Sequence, residues 1–244
     1  MLEITEAGSY QVTNKQVNIM ANKEVVLYLD GNCVIEINDI VNLKLHLINS
    51  NAKEVTVNSK LTGALVLTLS SFSNDKLAFS LQVDLIEPKA AIKMITATVS
   101  NTKSDLSYYI KHQSKETISE INNYGIGLKD SDYNCVINAK IFNKCKNSEA
   151  YQNSRILTTG SVNRIKVLPI LQMEENQIKA KHACSIGKLD KEQQYYLALR
   201  GLNEKDIIQL VAKGYLSNVL KEIDNKELKE ELVKQIESQV RNLC

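Results

Sequence analysis

Tryptophan is absent from this chain, proline occurs twice and glycine nine times in 244 residues. Aromatic residues make up only 5% of the sequence, so the core falls to Leu, Ile and Val. No apolar run approaches the roughly 20 residues that span a bilayer, so no membrane partner is expected. The N-terminal stretch MLEITEAGSYQVTNKQ lacks the basic and apolar regions of a secretory signal. The five cysteines, Cys33, Cys135, Cys145, Cys184 and Cys244, include no C-x-x-C pair. An odd, scattered set fits a reducing compartment rather than a disulfide framework, and a cytoplasmic location is expected. One-sided charge is missing too. Thirty basic residues stand against 28 acidic ones, with no cluster to give the field a nucleic-acid partner needs.

What is present is β texture. From about Val25 to about Lys181 run short apolar segments such as VVLYLD, LKLHLIN, GALVLTLSS, LAFSLQVDL and RIKVLPILQM. Leu43, Leu45 and Leu47 share one face, as do Phe79, Leu81, Val83 and Leu85, and this period of two predicts half-buried strands. His46 falls opposite the first of these rows, and His112 beside a polar turn reads as solvated or as a cap between coils. No convincing helical stripe intervenes, so a doubly wound α/β sheet is not expected. A sandwich and a β-solenoid both remain open. Sandwich hairpins favour Asn-Gly or Asp-Gly turns, and only Asp30-Gly31 offers one. The Asn-rich junctions favour the solenoid, because Asn tolerates left-handed corners. No strict repeat is visible.

The texture changes at Gly187. Asp190 is placed to cap a helix through KEQQYYLALR, with Gly201 ending it in the left-handed region. Asn203 caps a second helix whose apolar stripe reads Ile207, Leu210, Val211, Tyr215, Val219 and Leu220. Asn225 opens a third, with Leu228, Leu232, Ile236 and Val240 four residues apart. The expected organisation is a β domain over residues 1–187 and a helical domain over 188–244.

At this junction the sequence becomes specific. IKAKHACSIGKLDKEQQYYLALRGLNEKDIIQLVAKGYLSNVL presents a strand ending in His182, a small-residue stretch to Gly187, and then Asp190, Glu192, Gln193, Tyr196, Leu197, Arg200 and Gly201. Upstream stand Pro169 in VLPILQM, the polar stretch SEAYQNSRILTTG, and YIKHQSKETISEINNYGIG. Together these motifs, over roughly Ser107 to Glu222, resemble the SufB/SufD family of iron–sulfur cluster assembly scaffolds. The resemblance implies a mainly β fold, a right-handed parallel β-helix with a small C-terminal helical domain. It also implies a scaffold rather than an enzyme, in a chain without the N-terminal helical region that many members carry.

SufB-like members carry a Cys directly after the Gln that stands here as Gln152, whereas this chain has Asn153 and then Ser154. The departure favours the SufD side, where the strand-end His contributes to the cluster site. His182 is therefore the expected metal ligand for a transient iron–sulfur cluster at a subunit interface. Cys184, two residues on and on the same face of an extended strand, is the expected second ligand. Cys145 lies near the missing SufB-type position and reads as a core or loop cysteine, and Cys33, Cys135 and Cys244 as structural.

The resemblance further implies that the C-terminal helices bind a SufC-like ABC-type ATPase, with Tyr195, Tyr196, Leu199, Ile207, Ile208, Tyr215 and Leu216 available for core or docking. The bland reading of those side chains is that they pack the tail on the end of the solenoid. No G-x-x-x-x-G-K-[ST] occurs, so this chain has no ATP site of its own. A SufB-like subunit, or a second copy of this chain, is the expected β-helix partner. The competing readings are a minimal homodimer holding the nascent cluster itself, a β-helix enzyme acting on polysaccharide, and a purely structural solenoid. The second lacks a visible cluster of convergent acids, and the third is opposed by the helical cap.

Overall fold

The computed structural model describes all residues except 39–41, 73–74, 160–163, 242 and 244, so Cys244 lies outside the described residues. Among these residues, sixteen strands form two eight-stranded sheets. The odd sheet holds β1 (Leu2–Ile4), β3 (Gln16–Ile19), β5 (Cys33–Ile37), β7 (Glu54–Leu61), β9 (Leu77–Leu85), β11 (Lys103–His112), β13 (Asp132–Ile141) and β15 (Arg164–Met173) in that order. The even sheet holds β2 (Gly8–Thr13), β4 (Glu24–Asp30), β6 (Asn42–Asn49), β8 (Ala64–Ser71), β10 (Ala91–Ser100), β12 (Ile118–Gly127), β14 (Glu149–Thr158) and β16 (Lys179–Gly187).

Neighbouring strands pair in parallel throughout both sheets, from Leu2↔Val17 at one end to Gln152↔His182 at the other. The chain thus winds as a solenoid, one odd and one even strand per coil, and the sandwich alternative is excluded. Stacked side chains show why no repeat is visible in sequence. The coil is 22 residues long at His46 and Thr68, and 32 at Asp132 and Arg164.

Two expectations need correction. Strands begin at Leu2 rather than near Val25; the first three are short, and β2 buries only Val12, so their apolar alternation is too thin to register. Nor do Asn residues dominate the left-handed corners: among the described residues the non-glycine ones are Asn14, Lys89, Glu116, Asp130, Lys144 and Asn147. Several corners stack, with Lys89 N donating to Lys115 O, Glu116 N to Lys146 O and Asn147 N to Gln177 O at 2.6–3.2 Å. That corner-to-corner ladder offsets the strain of a positive φ and relaxes the demand for a particular residue.

The interior of the first coils is aliphatic, built from Val25, Leu27 and Leu29, then Leu43, Leu45 and Leu47, then Leu65, Leu67 and Leu69. His112 is also fully buried rather than solvated. Its ring bonds Thr117 Oγ1 at 2.8 Å and Ser119 Oγ at 2.9 Å, closing the turn between β11 and β12 from the inside.

Three helices follow: α1 (Lys191–Leu199), α2 (Glu204–Leu216) and, after a 3-10 turn over Ser217–Glu222, α3 (Lys226–Arg241). The caps fall where the sequence places them. Asp190 accepts from Glu192 N, Asn203 from Asp206 N and Asn225 from Leu228 N, and Gly201 sits at φ +88°.

The tail packs on the outer flank of the even sheet, not on the solenoid end. Ala212, Leu216, Val219, Leu228, Leu232 and Ile236 share one apolar cluster with Val26, Ile48, Ile95, Ala97, Val99 and Ile126. Leu210 is 52% exposed and leaves the expected stripe, because the small Ala212 takes the close approach to the sheet.

A polar clasp pins the turn before α3. Glu24 Oε1 accepts from Asp224 N, Asn225 N and the His46 ring at 3.0–3.4 Å. Lys44 pairs with Asp224, Lys93 with Glu222 at 2.8 Å, and Tyr28 donates to Glu231 at 2.6 Å. Among the described residues no helix is long and apolar enough to cross a membrane.

Candidate functional site

The site grows out of the last coil. β16 pairs with β14 on one side only, and all nine of its residues are exposed. Its register is fixed by Gln152↔His182 and Ser154↔Cys184. Gln152 and Ser154 are 3% and 2% exposed and face the solenoid interior, so His182 and Cys184 point from the same face over the open end of that interior. The sequence-based expectation that the two share a face holds.

The backbone adds a second property. Lys179 N donates to Ser148 O at 3.0 Å, which sets the phase of the ladder. In a parallel ladder residues alternate between their two neighbours, so Ala180, His182, Cys184 and Ile186 turn their N–H and C=O to the free edge. β15 ends the odd sheet in the same way. Arg164 N donates to Ser131 O, which sends the missing N–H of Pro169 to the free edge, where it costs no ladder bond.

Behind the open end the interior becomes polar. Thr96, Asn123, Ser154 and Cys184 are successive register partners across four strands. Thr96 Oγ1 donates to Asn123 Oδ1 at 2.7 Å, Tyr133 OH to the same oxygen at 2.9 Å, and Asn123 Nδ2 approaches Cys135 Sγ at 3.4 Å. Burial holds the Cys135 thiol far above its ordinary pKa, so it stays protonated. Gln152 Nε2 donates to Ile170 O at 3.0 Å, but its buried Oε1 has no partner. This orphan acceptor sits one ladder step from His182. Sequence reasoning singled out Gln152 only as a motif residue and could not see it.

The other candidates separate cleanly. Asn153 faces outward, lining a polar groove of about 400 Å³ with Glu120, Asn122, Tyr151, Arg155 and Lys181. Cys145 is buried, its Sγ donating to His112 O at 3.2 Å, and Cys33 and Cys135 are buried as expected. Cys184 is the exposed thiol among the described cysteines. Among the described residues no group of three or more His, Cys, Asp or Glu converges on one point. On the flank, every residue of α1 is exposed or half-buried, with Tyr195, Tyr196 and Leu199 between 55% and 69% exposed, while Ile207 and Leu216 of α2 are buried.

Residues 3–215 match the family model for the SUF system FeS cluster assembly SufBD core domain. A segment of 140 residues is 34% identical to the iron–sulfur cluster assembly protein SufD of Bacillus subtilis, covering 57% of this chain and 29% of that protein. A SufBD family protein of Synechocystis is 26% identical over 53% of this chain and 27% of its own length. The SufD protein of Escherichia coli is 25% identical over 33% of this chain and 19% of its own length. The matched segments thus span well under half of these relatives.

Proposed function

Because the chain belongs to the SufBD core family of SUF-system iron–sulfur cluster assembly proteins, we propose that it acts as a SufD-like scaffold subunit rather than a catalyst. His182 is its ligand to the nascent cluster, which is cargo and not a resident cofactor. The observation that carries this reading is the placement of an exposed imidazole on an open edge strand at the mouth of a polar interior. A neutral imidazole is a competent iron ligand, and an edge strand with free backbone groups is ready to pair with another chain. Cys184 stands beside it as a second donor. A SufB-like subunit supplies the remaining ligands across the β15 and β16 edges.

The flank serves a second partner. Tyr195, Tyr196 and Leu199 on α1 form an apolar surface that the fold itself leaves uncovered. A SufC-like ABC-type ATPase docks there and brings the nucleotide site. The amide of Asn153 and the hydroxyl of Ser154, standing where SufB-like members carry a thiol, support the SufD side of the family.

Co-expression with a SufB-like subunit and a SufC-like ATPase tests the whole reading. The expected result is a stable complex by size exclusion with mass determination, which survives His182→Ala but no longer forms cluster. Elution of the chain alone, with both partners soluble, would overturn it.

A further inference from the structure

We infer that the polar groove on the outer face of β12, β14 and β16 binds a small, doubly anionic organic molecule, a short chain with an anionic group at each end and a hydroxyl or carbonyl between. The inference goes beyond the scaffold reading and does not rest on it. None of its residues is a proposed cluster ligand, and its test needs no partner protein.

The ladder register lays the groove out as a grid. One row across the strands is Glu120, Tyr151 and Lys181, the next is Asn122, Asn153 and Ala183, and the third is Tyr124, Arg155 and Ser185. These side chains point away from the solenoid interior, because the intervening Gln152 and Ser154 point into it. The middle row is short and ends on β16 in a methyl group, so it forms a floor between two walls of longer side chains. The hollow measures about 400 Å³, the size of a small-molecule site. Past Asn122 the floor runs on to its register partner Ile95, which is 4% exposed beneath the helical flank. The groove is therefore blind at the tail and open at the β16 edge. Three strands measure only about 10 Å across, which suits a small molecule rather than a peptide passing through.

Charge selects the ligand. Arg155 and Lys181 are both exposed and stand on opposite walls, their Cα atoms about 13 Å apart along the strand direction. Among the described residues neither has a hydrogen-bond or ion-pair partner. Their neighbours on the same face are satisfied: Lys179 pairs with Glu149 at 2.7 Å, and Tyr151 OH donates to that carboxylate at 2.8 Å. Glu120, the acid of the wall, is engaged too, since its Oε1 accepts from Asn122 Nδ2 at 2.7 Å and it lies in the field of Lys93. Two long, unsatisfied cations that can lean over one short floor match a ligand charged at both ends. Between them Asn153 Nδ2 approaches Asn122 Oδ1 at 3.5 Å, which leaves the Asn153 carbonyl oxygen and its second N–H for a central hydroxyl or carbonyl.

Occupancy has a mechanical consequence. Lys181 belongs to β16, which is paired with β14 alone, and Arg155 belongs to β14. A ligand held by both cations bridges the two strands and ties down the outermost one from its outer face.

The test is calorimetric titration of the full chain with citrate and with a sugar bisphosphate, with acetate as the singly charged control at matched ionic strength, together with hydrogen exchange. The expected result is one citrate or one bisphosphate per chain, weaker binding of acetate, and slowed exchange of the Ala183 and Ser185 amides, which face β14. Arg155→Gln and Lys181→Gln should each weaken binding by about 10-fold or more, as the loss of a charge-assisted hydrogen bond implies. Asn153→Leu, which makes the floor apolar, should weaken it as well. All three variants should keep the circular dichroism of the native chain, since the side chains lie on its surface. Preference for citrate assigns carboxylate ends and preference for the bisphosphate assigns phosphate ends, and either supports the inference. Binding of neither, binding that both cation variants leave unaltered, acetate binding as tight as citrate, or unchanged β16 exchange at saturation overturns it.

Discussion

The two sheets of the solenoid have the same number of strands and the same parallel pairing, yet their burial patterns differ. β13, in the odd sheet, alternates half-buried and buried over all ten residues. β10, in the even sheet, is buried without interruption from Met94 to Ser100. The difference is the helical flank, which covers Ile95, Ala97 and Val99 on the side where β13 leaves Asn134, Val136 and Asn138 half-buried. A strand with one wet face alternates, and a strand covered on both faces does not.

The sharpest way to break this comparison is a pair of truncations at outward positions. Ile95→Ala opens a cavity under the tail and should cost about 3 kcal/mol of unfolding free energy. Val136→Ala, at an outward position of the bare sheet, should cost about 0.5 kcal/mol. Urea midpoints at constant slope measure both, and equal losses would show that the flank is not packed as described.

Acid sharpens it further. Burial lowers the pKa of His112 from 6.5 to about 4, so the folded chain holds it neutral while the unfolded chain takes up a proton near 6.5. Its contribution is whole above that value and is lost as pH falls through the window down to about 4, in total about 3 kcal/mol at the low end. His46, buried beneath the tail against Glu24, is also shifted down, mainly by desolvation, and acts with the same sign. Stability measured from pH 7 to 4 should fall steeply in the native chain and less so in His112→Asn. The smallest effect belongs to the open strand, where His182→Ala should change stability by no more than about 0.5 kcal/mol.

Much of this was legible in the residues. The alternation of Leu43, Leu45 and Leu47 marks strands because it reports a local geometry, and Asp190, Asn203 and Asn225 mark helix starts for the same reason. The spacing of His182 and Cys184 puts them on one face by the pleat alone. The position of the tail was harder, since helical periodicity says that a face is apolar but not what it meets. A signal was nevertheless present: Ile95, Ala97 and Val99 are apolar outward residues in a strand whose inward side already carries Met94. Gln152 stayed hidden because an unpartnered oxygen is a property of three-dimensional surroundings, and the first three strands because each buries too little to stand out.

The link between β16 and α1 is three residues, Lys188 to Asp190. Fully extended, the backbone from Gly187 to Lys191 reaches at most about 14 Å. α1 is almost unburied, while β16 is held along one edge only. Any force that displaces the exposed helix beyond that slack is therefore delivered along the chain to the strand carrying His182 and Cys184. The short link acts as a tether between the exposed helix and the site-bearing strand.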